Sequence, residues 1–311
     1  MKNTFAILPD VTCDLPKSVR DQYGIDIIHG HYTTPDGVDH MSTLEWTDEE
    51  RKAFYADLKK HPNSYTTAPP NTVECYNAFE RYAKENVPVL ALCISGGISG
   101  TVDFMTQAKN AILEKYKDAE IYIVDSRRFS VGFGLMALVA SELREQGKSV
   151  KEVYDFLEEN KNRIHQTGWM DDLSFVAKKG RISNAKAFFG MLVGVKPIGE
   201  FDYNGLTTVI GKVKGEKAAY DVLIEYMARH IENPEEQTIL IATTDRHKQA
   251  YEYKAMIEKR FSPKAVYVFD VFQSCGINVG PGLMAAYYFG KPITEGLIEE
   301  RQCLADILAG K

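Results

Sequence analysis

The sequence predicts an α/β protein of two domains: an N-terminal three-layer α/β/α domain with a mainly parallel sheet, and a C-terminal α+β layer with a hairpin. The 311 residues fill about two domains at roughly 100–200 residues each. Apolar strand patterns alternate with helical patterns through the first half, as in βαβ units. In the second half an Asn-Gly pair separates two strand patterns. We therefore assign residues 1–160 and 161–311 to the two domains.

In the first half, short apolar runs indicate strands and capping signals indicate helices. The predicted strands are residues 4–9, 25–31, 87–94 and 120–124. The helices are expected to begin at Pro16, at Thr101, at Val131, and at the capping boxes Thr47/Glu50, Asn71/Glu74 and Ser149/Glu152. Because strands and helices alternate, a largely parallel sheet with right-handed crossovers follows.

The second half begins with an apolar segment and then gives a hairpin signal. Strand patterns at residues 195–200 and 207–213 flank Asn204-Gly205. Beyond them we predict helices at 216–231 and 245–261, strands at 238–243 and 265–270, and an amphipathic helix at 294–309. Mixing a hairpin with helix–strand alternation predicts an α+β layer.

Composition and charge exclude several classes of protein. The chain has 37 Lys+Arg against 43 Asp+Glu, a net charge of −6, and no Lys/Arg block, which argues against nucleic-acid binding. No apolar stretch approaches the roughly 20 residues of a membrane span, and the first one is too short for a signal-peptide core. Five scattered cysteines fit reduced thiols and make structural zinc improbable. A cytoplasmic protein is expected.

Loops rich in Ser, Thr and Gly are the candidate binding region. They are residues 10–14, 66–71, 95–101 and 125–130. In an open α/β sheet, ligands bind beyond the carboxyl ends of the strands, where hydroxyls and helix N-termini can receive an anion. The alternative interpretation is that these residues are only the caps and turns that any strand-to-helix junction needs.

Two familiar catalytic motifs and a metal site find little support. The loop that starts at Ser95 lacks the lysine of a phosphate-binding P-loop. It also has Thr101 where a nucleophile elbow requires its second glycine. His29 and His31 alternate as in some metal sites, but no other histidine has ligand spacing. We therefore expect no metal and no cofactor.

The motifs together resemble those of the DegV family of bacterial fatty-acid-binding proteins, over most of the chain. The motifs and their family counterparts are residues 10–16 (D-S-T-C-D-L-P), 66–70 (T-S-Q-P-S), 94–101 (I-S-S-G-L-S-G-T), 125–134 (D-S…S-x-G-x-G), 178–183 (K-K-G-G-R-I-S) and 278–282 (H-x-G-P-G). No single motif is decisive, but their order is specific.

The resemblance implies a protein that binds one long-chain fatty acid between two domains and is not itself an enzyme. It implies a separate fatty acid kinase as partner, to which the carboxylate is presented. The implied head-group residues are Thr66, Thr67, Ser95, Gly96, Gly97, Arg181 and Asn278. The acyl-tunnel candidates are Phe188, Phe189, Met191 and Leu192.

This chain departs from the family pattern at Gly96, where the family has Ser, and at Asn278, where it has His. Such changes affect the expected head-group contacts and the coupling to a kinase. One alternative function is an enzyme, a hydrolase or transferase, acting on an acyl or phosphorylated small molecule at the Ser95 to Thr101 loop. It lacks an evident base beside that loop. Another is a scaffold without a small ligand.

Overall fold

A computed structural model describes residues 4–183 and 194–311 and divides the chain into two compact units. Unit 1 contains Met1–Trp46, Asn63–Lys161 and Phe272–Cys275, and unit 2 contains Thr47–Pro62, Asn162–Val271 and Gly276–Lys311. The sequence predicts a single division, at residues 160/161. In the structure two exchanged segments depart from it: Thr47–Pro62 belongs to unit 2, and Phe272–Cys275 belongs to unit 1. Local signals mark where a helix begins but not the unit to which it belongs.

The described residues form strands and helices that we number in chain order. The strands are β1 Ala6–Pro9, β2 His31–Thr33, β3 Asp39–Met41, β4 Thr66–Ala68, β5 Val89–Cys93, β6 Ile121–Asp125, β7 Ile164–Met170, β8 Val195–Phe201, β9 Thr207–Lys214, β10 Thr238–Thr243, β11 Ala265–Asp270 and β12 Leu283–Phe289. The helices are α1 Lys17–Tyr23, α2 Asp48–Lys60, α3 Thr72–Ala83, α4 Thr101–Lys115, α5 Val131–Glu145, α6 Val150–Asn160, α7 Ser174–Lys178, α8 Glu216–His230, α9 His247–Phe261, α10 Gln273–Val279 and α11 Ile298–Leu308.

Unit 1 is a three-layer α/β/α arrangement around the parallel sheet β1-β5-β6. Leu8, Val89 and Ala91 pack with helices α3 and α4 on one face of the sheet. Helices α5 and α6 contact the sheet as well, and the alternate residues Ile7 and Leu90 are fully buried. Strands buried on both faces read as continuous apolar runs, which is why their sequence pattern is easily recognised.

A second sheet of unit 1 forms largely where the sequence predicts no strands, from β2 and β3 before α2 and from β4 after it. It is antiparallel, in the order β3-β2-β4, with Tyr32 opposite both His40 and Thr67. The strand predicted at residues 25–31 is replaced by two isolated parallel bridges, Ile7 to Ile25 and Asp10 to Ile28. The apolar alternation there reflects burial beside β1 rather than a continuous strand.

Unit 2 is built on a mixed six-stranded sheet in the order β11-β10-β12-β7-β8-β9. Helices α8, α9 and α11 contact the sheet, and their side chains share a core with Trp169 of β7 and Tyr288 of β12. The predicted hairpin is present as β8 and β9, with Gly205 in the left-handed region at φ 79°. The C-terminal layer is therefore the predicted α+β layer with a hairpin.

Helix α2 illustrates how a segment is held within unit 2. Its capping box is formed by Thr47 and Glu50. The hydroxyl of Tyr55 donates to the backbone oxygen of Val271 at 2.5 Å, and the Leu58 side chain is fully buried. Among the described residues, no helix is long and apolar enough to cross a membrane.

Candidate functional site

Three loops at the carboxyl edge of the parallel sheet in unit 1 are tied together by hydrogen bonds. The loop after β1 contributes Asp10, whose carboxylate accepts from the backbone N–H of Ile94 at 2.9 Å. In the loop after β5, the N–H of Ser95 donates to the backbone oxygen of Arg128 at 2.9 Å. The three strand ends that the sequence singles out thus form one rigid cluster.

The loop that begins at Ser95 satisfies most of its own donors. Gly97 N–H donates to Ser95 Oγ at 3.1 Å, and the N–H groups of Ile98 and Ser99 donate to the backbone oxygen of Ser95. Ser99 Oγ and Thr101 Oγ1 are 2.8 Å apart. A bound anion would therefore receive few backbone amides here unless it displaced one of these bonds.

Gly96 is coupled to the aspartate that ends the neighbouring strand β6. Its N–H donates to Asp125 Oδ1 at 2.9 Å, and the same oxygen accepts from Arg127 N–H at 3.1 Å. A Cβ atom on Gly96 would lie only 2.8 Å from Asp125 Oδ2. A serine at position 96, as in the family motif, would thus need a different position of the Asp125 side chain.

A buried acid lies beneath the same loops. Asp14 Oδ2 accepts from the Ser130 hydroxyl at 2.5 Å, and Oδ1 accepts from Phe272 N–H at 3.0 Å. Burial raises the pKa of Asp14 to about 8, against the opposing effect of these hydrogen bonds. Ser130 has φ 54° and ψ −138°, a strained conformation that the surrounding packing must impose. This pair holds the start of α5 against the loop after β1.

Thr66 and Thr67 lie in β4, in the small antiparallel sheet. Thr67 is opposite Tyr32 and is half-buried, whereas Thr66 is opposite Thr33 and exposed. Because successive strand residues point to opposite faces, these two hydroxyls cannot both point to one ligand. The structure therefore distinguishes two candidates that the sequence treats alike.

The remaining predicted residues belong to unit 2 or lie outside the described residues. Arg181 is exposed, follows α7, and donates to the backbone oxygen of Lys179. Asn278 is half-buried in α10. The acyl-tunnel candidates Phe188, Phe189, Met191 and Leu192 fall outside the described residues.

The histidines of unit 1 contact groups other than the Ser95 loop. His29 Nδ1 is 2.8 Å from the backbone oxygen of Ser42. His31 bridges Asp39 and Glu74, at 2.8 and 2.7 Å, and the Glu74 hydrogen bond raises the pKa of His31 above its usual value. In the described part of the chain, no group of three or more His, Cys, Asp or Glu could hold a metal ion.

The sequence identifies the loops of the cluster but not the hydrogen-bond partners of their side chains. Asp125 and Asp14 are conspicuous in the sequence, but nothing local indicates that one is bonded to Gly96 and the other to Ser130. Alternating strands and helices predict that the carboxyl ends meet at one edge. They do not determine which side chains become hydrogen-bonded there.

These features define an α/β protein of two units, with a polar Ser/Thr/Gly loop cluster at the carboxyl edge of a parallel sheet. The chain belongs to the DegV family: the model described as "Uncharacterised protein, DegV family" matches residues 4–291. A DegV domain-containing protein of Clostridium perfringens is 32% identical over 286 residues, 92% of this chain and 97% of that protein.

Solved structures show the same fold. DegV of Bacillus subtilis, described as a fatty acid binding protein, is 26% identical with a TM-score of 0.75, covering 92% of this chain and 99% of that one. A Thermotoga maritima protein whose structure is described as revealing fatty acid binding function is 25% identical, with a TM-score of 0.76 over 91% and 98% of the two chains. A DegV family protein of Thermus thermophilus has a TM-score of 0.81 at 23% identity, covering 92% of this chain and 99% of that one.

Proposed function

We propose that this protein binds a long-chain fatty acid, with the carboxylate at the Ser/Thr/Gly loops of unit 1. The observation that carries the proposal is its likeness, over more than nine-tenths of the chain, to two proteins described as binding fatty acids. We further propose that the protein is cytoplasmic, is not itself an enzyme, and presents the carboxylate to a separate fatty acid kinase.

The proposed head-group contacts are the hydroxyls of Thr67 and Ser95. Ser95 is fully buried in the loop after β5, so a hydrogen bond to it would be shielded from water. Hydrogen bonds to a charged group contribute roughly 1.5–3 kcal/mol each. Two hydroxyls can therefore orient a carboxylate, with Gly96 and Gly97 allowing close approach to the loop.

Arg181 and Asn278 are proposed as further head-group residues from the C-terminal half. The same half is proposed to line the acyl chain through Phe188, Phe189, Met191 and Leu192. At about 0.8 kcal/mol per CH₂, a dozen buried methylenes would contribute on the order of 10 kcal/mol before the costs of association. The acyl chain would thus supply most of the affinity, and the loops would set its orientation.

The proposal is tested by extracting the purified protein with organic solvent and identifying the extract by mass spectrometry. Native and denatured samples of the intact chain give the stoichiometry. A near-equimolar fatty acid in the extract is the expected result, and it also identifies the chain length. An empty extract, together with no saturable uptake of added palmitate or oleate, would overturn the proposal.

A further inference from the structure

A cavity of about 540 Å³ lies within unit 2. Its walls come from helix α2, from helix α7 and from the loops that follow β7 and β10. The described residues that line it all belong to unit 2. The volume falls within the roughly 300–1,000 Å³ that small-molecule sites occupy.

One side of the cavity carries several lysines. Lys52 and Lys59 are seven residues apart on α2, so they lie on one face of that helix. Lys178 and Lys179 stand at the end of α7. Within residues 4–183 and 194–311, no ion pair joins Lys52, Lys59 or Lys178 to a carboxylate. These three lysines are exposed, so a ligand can reach their ammonium groups.

The acidic residues of the cavity are already engaged, with one exception. Asp171 is paired with Lys196 and with Arg246. Asp172 accepts from the N–H and the hydroxyl of Ser174, at 2.7 and 2.8 Å, at the start of α7. Asp245 is exposed at the rim. Within the described ranges, the cavity lining holds five cationic side chains against three carboxylates, so the field of these residues favours an anion.

The apolar part of the lining is firmly held. Tyr55 is anchored to Val271, and Phe175 is buried. Gly280 has φ 71°, and a Cβ there would lie 2.4 Å from the Phe175 ring. Pro281, which follows it, lines the cavity. The Lys178 and Gly280 segments, which belong to two of the family motifs, thus meet at one cavity.

We propose that this cavity binds a small molecule carrying two or more phosphate groups. Its phosphate oxygens would contact Lys52, Lys59 and Lys178, and an apolar portion would lie against Tyr55 and Phe175. Several separate ammonium groups match a multiply charged ligand, whereas a single carboxylate would neutralise only one of them. The proposal goes beyond fatty acid binding and does not depend on it.

The test is a calorimetric titration of the full chain with inorganic pyrophosphate. Saturable one-site binding that weakens with added salt is expected, because the site is partly exposed. In a Lys52→Gln/Lys178→Gln variant the dissociation constant should rise by about tenfold or more, since two charge-assisted contacts are lost.

The matched control is Lys217→Gln/Lys259→Gln, which makes the same change in net charge at exposed lysines of α8 and α9. It should leave pyrophosphate binding within about twofold of wild type, because distant exposed charges are screened. Equal weakening in both double variants would show a non-specific charge effect and overturn the proposal. So would the absence of saturable binding by wild type. Thermal midpoints of both variants establish that they fold.

Discussion

The carboxylate of Asp125 occupies the space that a side chain at position 96 would need. Gly96 donates its N–H to Asp125 Oδ1 at 2.9 Å, and a Cβ on Gly96 would lie 2.8 Å from Oδ2. The glycine that departs from the family motif is therefore matched to an aspartate on the neighbouring strand. The two positions should behave as one unit in mutagenesis.

A Gly96→Ala variant is expected to lose roughly 1–2 kcal/mol of unfolding free energy, because the Asp125 side chain must move and its hydrogen bonds weaken. Urea denaturation measures the change. In an Asp125→Ala background the same substitution should cost less than about 0.5 kcal/mol, since the clash is gone. Gly100→Ala is the control, because a Cβ there meets nothing within 4 Å. Equal costs in both backgrounds would contradict the coupling.

A Thr67→Val variant is expected to bind fatty acid about tenfold or more weakly, because a hydrogen bond to the carboxylate is lost. Valine is similar in shape and suits a strand, so the thermal midpoint should stay near that of wild type. The affinity is measured by displacement of a fluorescent fatty acid from the protein. Thr66→Val is the matched control, with its side chain on the opposite face of β4. If both variants bind as wild type does, Thr67 is not part of the site.

Asp14 is expected to make the protein less stable as pH rises from about 4 to about 8. Its pKa is raised from 3.8 to about 8 by burial, so between these values the folded state keeps a proton that the unfolded chain has released. The slope reaches at most about 1.4 kcal/mol per pH unit for one group. Asp14→Asn should flatten the decline in urea denaturation across that window. An unchanged slope would show that Asp14 is ionised in the folded protein at neutral pH.

The stability that His31 contributes should fall as pH rises, whereas the stability from a carboxylate with a lowered pKa falls as pH drops. Because the Glu74 hydrogen bond raises its folded pKa, its contribution is complete below about pH 6.5 and is lost as pH rises through the folded value. His31→Gln should therefore destabilise by up to about 1 kcal/mol at low pH and by less at high pH, since the site is partly exposed. His61→Gln, at an exposed pair between His61 and Asp57 at the C-terminal end of α2, serves as control. A loss that does not vary with pH would rule out the ion pair.

Local signals predicted much of the fold. The capping boxes at Thr47, Asn71 and Ser149 are all formed, and β10 and β11 have the predicted bounds. Strand β7 was missed because buried polar side chains interrupt its pattern: His165 bonds Glu200 at 2.9 Å inside unit 2. Such residues are satisfied only by partners distant in sequence, which a local pattern does not reveal.

The candidate site was predictable to the level of loops. Periodicity and turn residues locate the ends of β1, β5 and β6, and the family motifs add Thr67 and Ser95. The bond from Gly96 to Asp125, the alternation that separates Thr66 from Thr67, and the lysines around the unit 2 cavity depend on tertiary packing. Helix α2 shows this most clearly, because its own sequence carries no sign that it packs in unit 2.

The exchanged segments determine how the chain can mature on the ribosome. In unit 1, Asp14 is hydrogen-bonded to Phe272, which is synthesised 258 residues later. In unit 2, Tyr55 of α2 is hydrogen-bonded to Val271, which is synthesised 216 residues later. Neither unit can therefore complete its fold while its N-terminal part leaves the ribosome, although N-terminal domains usually fold first during synthesis. Nascent chains ending at Lys161 should therefore be cut readily by protease, while the released protein resists. Resistance of the short chain would show that unit 1 closes without its last segment.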